Sequence, residues 1–215
     1  IERLYDSLDQ SGLLEDTAII IVGDHGENIG DHELMDHQYC LYETLLNVPL
    51  LVRPPGGREE ETIEAPVETR DIFPTVLELA DAAHPDDAEV SENSLLTPPA
   101  SEYVIGEYRA PQPSMEAIAS ELGSVPRQMR KYDRALRSIR ADRWKLIESS
   151  DGSVELYDLT TDPGETTDRS DEQTEKVTEL STMLDEEDIP VSPESQEDVE
   201  MTETSRERLK DLGYI

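Results

Sequence analysis

Residues 18–27 read AIIIVGDHGE, and the Gly23-Asp24-His25-Gly26 step holds the first residues in this chain that could do chemistry. A carboxylate and an imidazole side by side are two ready ligands for one divalent cation. The alternative is a pair of ordinary polar loop residues, and the residue types alone leave both readings open. The segment before the pair supplies its context. Ala18 to Val22 is a continuous apolar run rich in β-branched residues, the pattern of a strand buried on both faces in a parallel sheet. Gly23 and Gly26 permit tight backbone at its carboxyl end, and ligands of open α/β sheets bind outside that end.

The loop is not a self-contained calcium site. With Asp24 in the first position of an EF-hand, the third position is Gly26, the sixth is Ile29 and the twelfth is Met35. All three fail the ligand and glycine requirements. Cys40 is the only cysteine, which excludes an intrachain disulfide. In QYCLYETL it reads as a small buried hydrophobe.

Elements must position the loop. A helix is expected over 1–12, with Ile1, Leu4, Tyr5 and Leu8 at helical spacing and Gly12 as its stop. No cap precedes Ile1, so the chain reads as the C-terminal piece of a longer protein. A strand over 17–22 enters a loop over 23–38, followed by a short helix over 39–46 and a second buried strand over 48–53. Pro54-Pro55-Gly56-Gly57 ends that strand. A helix comes next over 68–80, with Pro74 near its first turn, then acidic loop over 81–100 and a strand over 103–108. Residues 110–126 read as a variable connection. Arg127, Arg130, Lys131, Arg134 and Arg137 predict one basic helix face, which either neutralises an acidic protein internally or receives an anionic substrate. Two strands are expected over 135–147 and 154–159, with a turn at Asp162-Pro163-Gly164. A helix over 171–186, an acidic linker over 187–203 and a short helix over 204–212 complete the chain.

The charge excludes one class of partner. There are 51 acidic and 18 basic residues, a formal −33, so bulk electrostatics opposes binding to nucleic acid phosphates. The acids are scattered over the predicted helices and strands and Lys is scarce, which predicts a surface adapted to high salt. No apolar run is long enough to span a membrane.

The ordered segments carry a resemblance. IERLYDSLDQSGLLEDTAIIIVGDHGE and GDHELMDHQYCLYETLLNVPLLVRPPGG, then ETRDIFPTVLELA, LRSIRADRWKLI, VELYDLTTDPGETTD and RERLKDLGYI, resemble the C-terminal half of a sulfatase of the alkaline-phosphatase-like superfamily. The resemblance implies an α/β fold: a mixed sheet sandwiched by helices, with a small C-terminal antiparallel sheet plus helix. Residues 1–100 would carry part of the catalytic core with the metal loop. Residues 101–215 would form a small α+β subdomain with an acidic tail.

The implied activity is metal-dependent hydrolysis of sulfate esters, with a phosphonate monoester or phosphodiester hydrolase as the alternative. A truncated, non-catalytic cation-binding fragment is the further alternative. Asp24 and His25 would be two ligands of one divalent cation, Ca²⁺ ahead of Mn²⁺ and Zn²⁺. His37 stands where relatives commonly place a Lys, and would bond to the ester oxygen or protonate the leaving alkoxide. His32 is expected to be structural, and Glu27 and Asp31 are either outer partners of the metal ligands or solvated loop. Arg53 is read as an edge cation. The family nucleophile, a formylglycine made from a Cys/Ser-x-Pro-x-Arg motif, has no counterpart in this sequence. It is expected in the N-terminal half, the implied partner, alongside an anionic sulfate-ester substrate.

Overall fold

The computed structural model of the chain describes residues 1–59, 61–83, 93–97, 102–111, 114–189 and 191. In order, its elements are α1 (Glu2–Gln10), β1 (Ile19–Val22), β2 (Asn28–Ile29), β3 (Met35–Asp36), α2 (Glu43–Leu46), β4 (Leu50–Arg53), α3 (Ile72–Leu79), β5 (Tyr103–Tyr108), α4 (Met115–Leu122), β6 (Leu136–Ala141), β7 (Trp144–Ser149), β8 (Val154–Asp158) and α5 (Thr174–Glu186). Together they form a mixed α/β fold of small antiparallel sheets with helices.

Gly12 comes after α1 at φ +69°, a left-handed conformation that glycine adopts without a Cβ clash. β1 then pairs with β4, antiparallel, with Ile19 opposite Arg53 and Val22 opposite Leu50. The parallel pairing expected for Ala18–Val22 is therefore corrected, and so is its burial on both faces. Val22 is 38% exposed and Leu51 58%. Among the described residues these two strands pair only with each other, and two strands alone cannot cover their own apolar side chains.

The short helix expected over 39–46 shrinks to α2. Tyr39 stands at φ +71°, outside helical conformation, and Tyr42 is still extended. α3 is preceded by one turn of 3₁₀ helix over Thr69–Asp71, closed by a capping box between Glu68 and Asp71. Pro74 is buried in its first turn, where its missing N–H costs nothing.

The meander β5-β6-β7-β8 shows why its residues alternate. Side chains of successive strand residues point to opposite faces. On one face Ile139, Leu146 and Leu156 pack with Leu180 and Leu184 of α5. On the other, Leu136, Ile147 and Tyr157 pack with Leu41, just before α2. The sheet is thus held between α5 and the segment that leads into α2.

Three expectations in this region are corrected. Residues 135–147 contain not one strand but the β6–β7 hairpin, turned at Asp142 with φ +52°. The connection over 110–126 contains α4, capped at Ser114 by a bond from the Ala117 N–H. The basic helix face does not form, because only Arg127–Tyr132 is helical, as 3₁₀ turns, and Arg137 lies in β6. Arg134, Arg137, Arg140, Arg143 and Lys145 instead pair with carboxylates. The acidic linker and final helix expected over 187–212 fall almost wholly outside the described residues.

Candidate metal centre

β1 delivers the chain to Gly23, whose N–H donates to the Pro49 carbonyl at 3.1 Å. Gly26 is the next fixed point. Its N–H donates to the Leu45 carbonyl at 2.8 Å. A Cβ there would fall 2.9 Å from the Thr44 carbonyl carbon and 3.1 Å from Leu45 Cα. Only glycine fits against the backbone of α2 this closely. The two residues between the glycines are pushed outward, and both Asp24 and His25 are exposed.

The local bonds fix the imidazole. His25 Nδ1 lies 2.8 Å from the Gly26 carbonyl oxygen, which can only accept, so Nδ1 carries the proton. Nε2 is left with its lone pair, 4.0 Å from Asp24 Oδ2. A metal-bound histidine characteristically donates its other ring N–H to a carbonyl or carboxylate in this way. On zinc, bonds of about 2.0–2.1 Å to imidazole nitrogen and about 2.0–2.2 Å to a carboxylate oxygen are together long enough to bridge that gap. The two side chains therefore fit one divalent cation.

The β2–β3 hairpin brings Glu27 and His37 to the same place. Asn28, 1% exposed, donates from Nδ2 to the Asp36 carbonyl at 3.0 Å and accepts from the Thr44 hydroxyl at 2.7 Å. This draws the ends of the hairpin together and sets Glu27 beside His37. His37 Nδ1 lies 2.7 Å from Asp36 Oδ1 and 3.4 Å from Glu27 Oε2. Its ring stacks on that of His25, with centroids 4.3 Å apart. One ligand atom from each of His25, Glu27 and His37 lies within 4.8 Å of the others. His32, Glu33, Asp36 and Tyr39 all have positive φ, a concentration of strained backbone of the kind found at functional sites.

The structure thus brings Asp24, His25 and His37 to one groove of about 990 Å³. Glu27 belongs with them, yet a Glu in a polar loop is ordinary and has no priority in the sequence. The one signal there is its position two residues from His25. His32 takes no part: it stacks on Tyr42 at 3.6 Å. Arg53 turns inward, donating to the carbonyls of Leu14, Thr17 and Pro54, and so acts as a clasp between β4 and the segment before β1. Cys40 is buried, with Asn28 Nδ2 3.5 Å from its sulfur.

Comparison with known proteins gives this geometry a family. Residues 1–82 match the sulfatase family. The chain is 35% identical over 187 residues to arylsulfatase K of Gallus gallus, covering 85% of this chain and 33% of that protein. Among solved structures, one in complex with its substrate D-glucosamine-2-N,6-O-disulfate superposes with a TM-score of 0.69 at 24% identity, over 90% of this chain and 39% of that one. The phosphonate monoester hydrolase of Agrobacterium radiobacter superposes with a TM-score of 0.65 at 23% identity, over 87% and 37%. This chain spans about a third of the length of the curated relatives it matches. With the family match over the DHGE loop and its strands, and a relative matched over most of the chain, the chain belongs to the sulfatase family of the alkaline-phosphatase-like superfamily.

Proposed function

We propose that the chain provides part of the metal and substrate site of a sulfuric ester hydrolase. The observation that carries this reading is the orientation of His25: Nδ1 is committed to the Gly26 carbonyl and Nε2 faces the Asp24 carboxylate 4.0 Å away. Asp24 and His25 hold one divalent cation, and their mixed oxygen and nitrogen set suits Mn²⁺ or Zn²⁺ as well as Ca²⁺. When bound, the cation polarises the ester oxygens and favours the deprotonated nucleophile.

His37 has its Nδ1 occupied by Asp36 and Glu27, so Nε2 is the nitrogen presented to a ligand. In its protonated form it donates from there to the ester oxygen that leaves as an alcohol. The nucleophile, a formylglycine, and the remaining metal ligands come from a further stretch of polypeptide. The exposed apolar side chains of β1 and β4 support that assignment, since they offer an unfinished layer for such a stretch to complete. On this reading residues 1–100 belong to the catalytic core and 101–215 to a smaller subdomain. The substrate class is an aryl sulfate or a sulfated sugar, as the names of the relatives suggest.

The test is turnover of 4-nitrocatechol sulfate by the polypeptide that joins this chain to its upstream coding sequence. Activity that requires added divalent cation and is lost in Asp24→Ala and His25→Ala supports the proposal. Activity that survives both substitutions overturns the metal assignment. Faster turnover of an aryl phosphonate monoester moves the enzyme to the phosphonate hydrolase class. Metal binding with no ester turnover makes the protein a cation-binding module. Turnover by residues 1–215 alone removes the need for an outside nucleophile.

A further inference from the structure

The face of the meander opposite α5 carries a buried charge cluster. Lys145 of β7 is 1% exposed, and its Nζ lies 2.9 Å from Glu43 Oε1 and 2.9 Å from Glu165 Oε1. Arg140 of β6 places Nη1 2.6 Å from Glu43 Oε2, so two cations meet two carboxylates. The Lys145–Glu165 contact has ion-pair distance without hydrogen-bond alignment, leaving Glu165 Oε1 with no donor. The other Glu165 oxygen accepts from the Glu43 backbone N–H at 2.6 Å. Glu165 itself stands at φ +51°, left-handed backbone that a side-chain-bearing residue keeps only where its surroundings impose it. Burial pushes its carboxyl pKa up, against the opposing pull of Lys145 and the Glu43 N–H.

Buried ion pairs are a poor way to gain stability, because well-packed apolar side chains of similar volume often do as well. This cluster is better explained by what it holds. It fixes Glu43, the first residue of α2, through both backbone and side chain. α2 is in turn the seat of the metal loop. The Leu45 carbonyl accepts from Gly26, and the Thr44 hydroxyl donates to Asn28, which donates to the Asp36 carbonyl. Gly26 lies between His25 and Glu27, Asn28 comes directly after Glu27, and Asp36 precedes His37. Each anchored residue therefore adjoins a member of the His25–Glu27–His37 cluster.

We propose that Lys145 and Glu165 are positioning residues for the metal centre: by locking Glu43 they fix α2, and through it the placement of His25 against His37. The inference rests on the metal-site reading, but its primary test needs neither metal nor turnover. In the full chain at high salt, the rings of His25 and His37 stack at 4.3 Å, which is close enough for an inter-ring nuclear Overhauser effect. In Lys145→Met that signal is expected to vanish while the Trp144 indole and the sheet amide resonances persist. Glu43→Gln keeps the side-chain volume and leaves Lys145 paired with Glu165, so it carries the test should Lys145→Met not fold; the same loss is expected. Co²⁺ affinity, followed by visible absorption, is expected to fall about tenfold or more in both variants. A folded variant that keeps the inter-ring signal at full intensity overturns the proposal, even if its melting temperature drops. A wild-type chain lacking the signal overturns it too. A wild-type chain with the signal but no Co²⁺ binding overturns the metal reading and leaves the positioning result intact.

Discussion

His37 lies on His25 with ring centroids 4.3 Å apart and planes 28° from parallel, although the two stand at opposite ends of the β2–β3 hairpin. Stacked rings keep their lone pairs in separate planes, so a cation in the plane of one ring lies off the plane of the other, and the two make a poor chelating pair. On the proposed function, one ring would serve the metal and the other the substrate. His25→Ala is expected to abolish divalent-cation binding measured by calorimetry. His37→Ala is expected to keep that binding and to lower aryl sulfate turnover by about 10²-fold or more. Loss of binding in His37→Ala would instead make it a third ligand beside Asp24 and His25.

Gly26→Ala tests the seat of the loop. The added methyl meets backbone rather than a movable side chain, so α2 or the loop must shift. The expected cost is about 1–3 kcal/mol in urea unfolding. Metal affinity should fall with it, because the shift displaces the residue 26 carbonyl that fixes the His25 ring.

Tyr42 and Tyr157 both donate to Glu155 Oε2, at 2.8 and 2.7 Å. Burial first, and the Glu155 carboxylate with it, push both phenols above their ordinary pKa. A group whose pKa is raised on folding stabilises the fold fully below its unfolded pKa, and that contribution is lost as pH climbs above it. The melting temperature is expected to stay level up to about pH 9.5 and to fall above about pH 10, the ordinary phenol value. Tyr157→Phe should flatten this alkaline limb; an unchanged slope would assign the loss to other groups.

Salt is expected to stabilise the chain. At a formal −33, self-repulsion falls as the screening length drops from about 10 Å at 0.1 M to about 3 Å at 1 M. Thermal unfolding in rising KCl should show a melting temperature that climbs through this range. A flat response would mean that repulsion among the scattered carboxylates costs the fold little.

Elements with strong local signals are legible in the sequence, and those decided by distant partners are not. The Ala18–Val22 run and the breaker at Pro54 to Gly57 announce β1 and β4, and Gly12 announces the end of α1. The antiparallel partner of β1 is hidden because an apolar run says nothing about strand direction. The β6–β7 hairpin is masked by Asp142 and Arg143, which lack the usual turn signature yet leave Asp142 at φ +52°. The basic spacing from Arg127 to Arg137 mimics a helix face, but Arg137 reaches Glu148 on the neighbouring strand and Asp185 on α5. At the site, Asp24 and His25 stand out through their bracketing glycines. Glu27 does not, since only hairpin closure through the buried Asn28 places it beside His37.

The pairing of Arg134, Arg137, Arg140, Arg143 and Lys145 with carboxylates has a kinetic consequence. Each of these cations is held against a carboxylate and contributes little field at a distance, so on the proposed function an approaching anionic ester meets a surface of the same sign as itself. Encounter would then be opposed by long-range repulsion until the ester comes within reach of the proposed metal site. The association rate constant should rise with ionic strength, the reverse of the steered capture seen in enzymes whose cations line the approach.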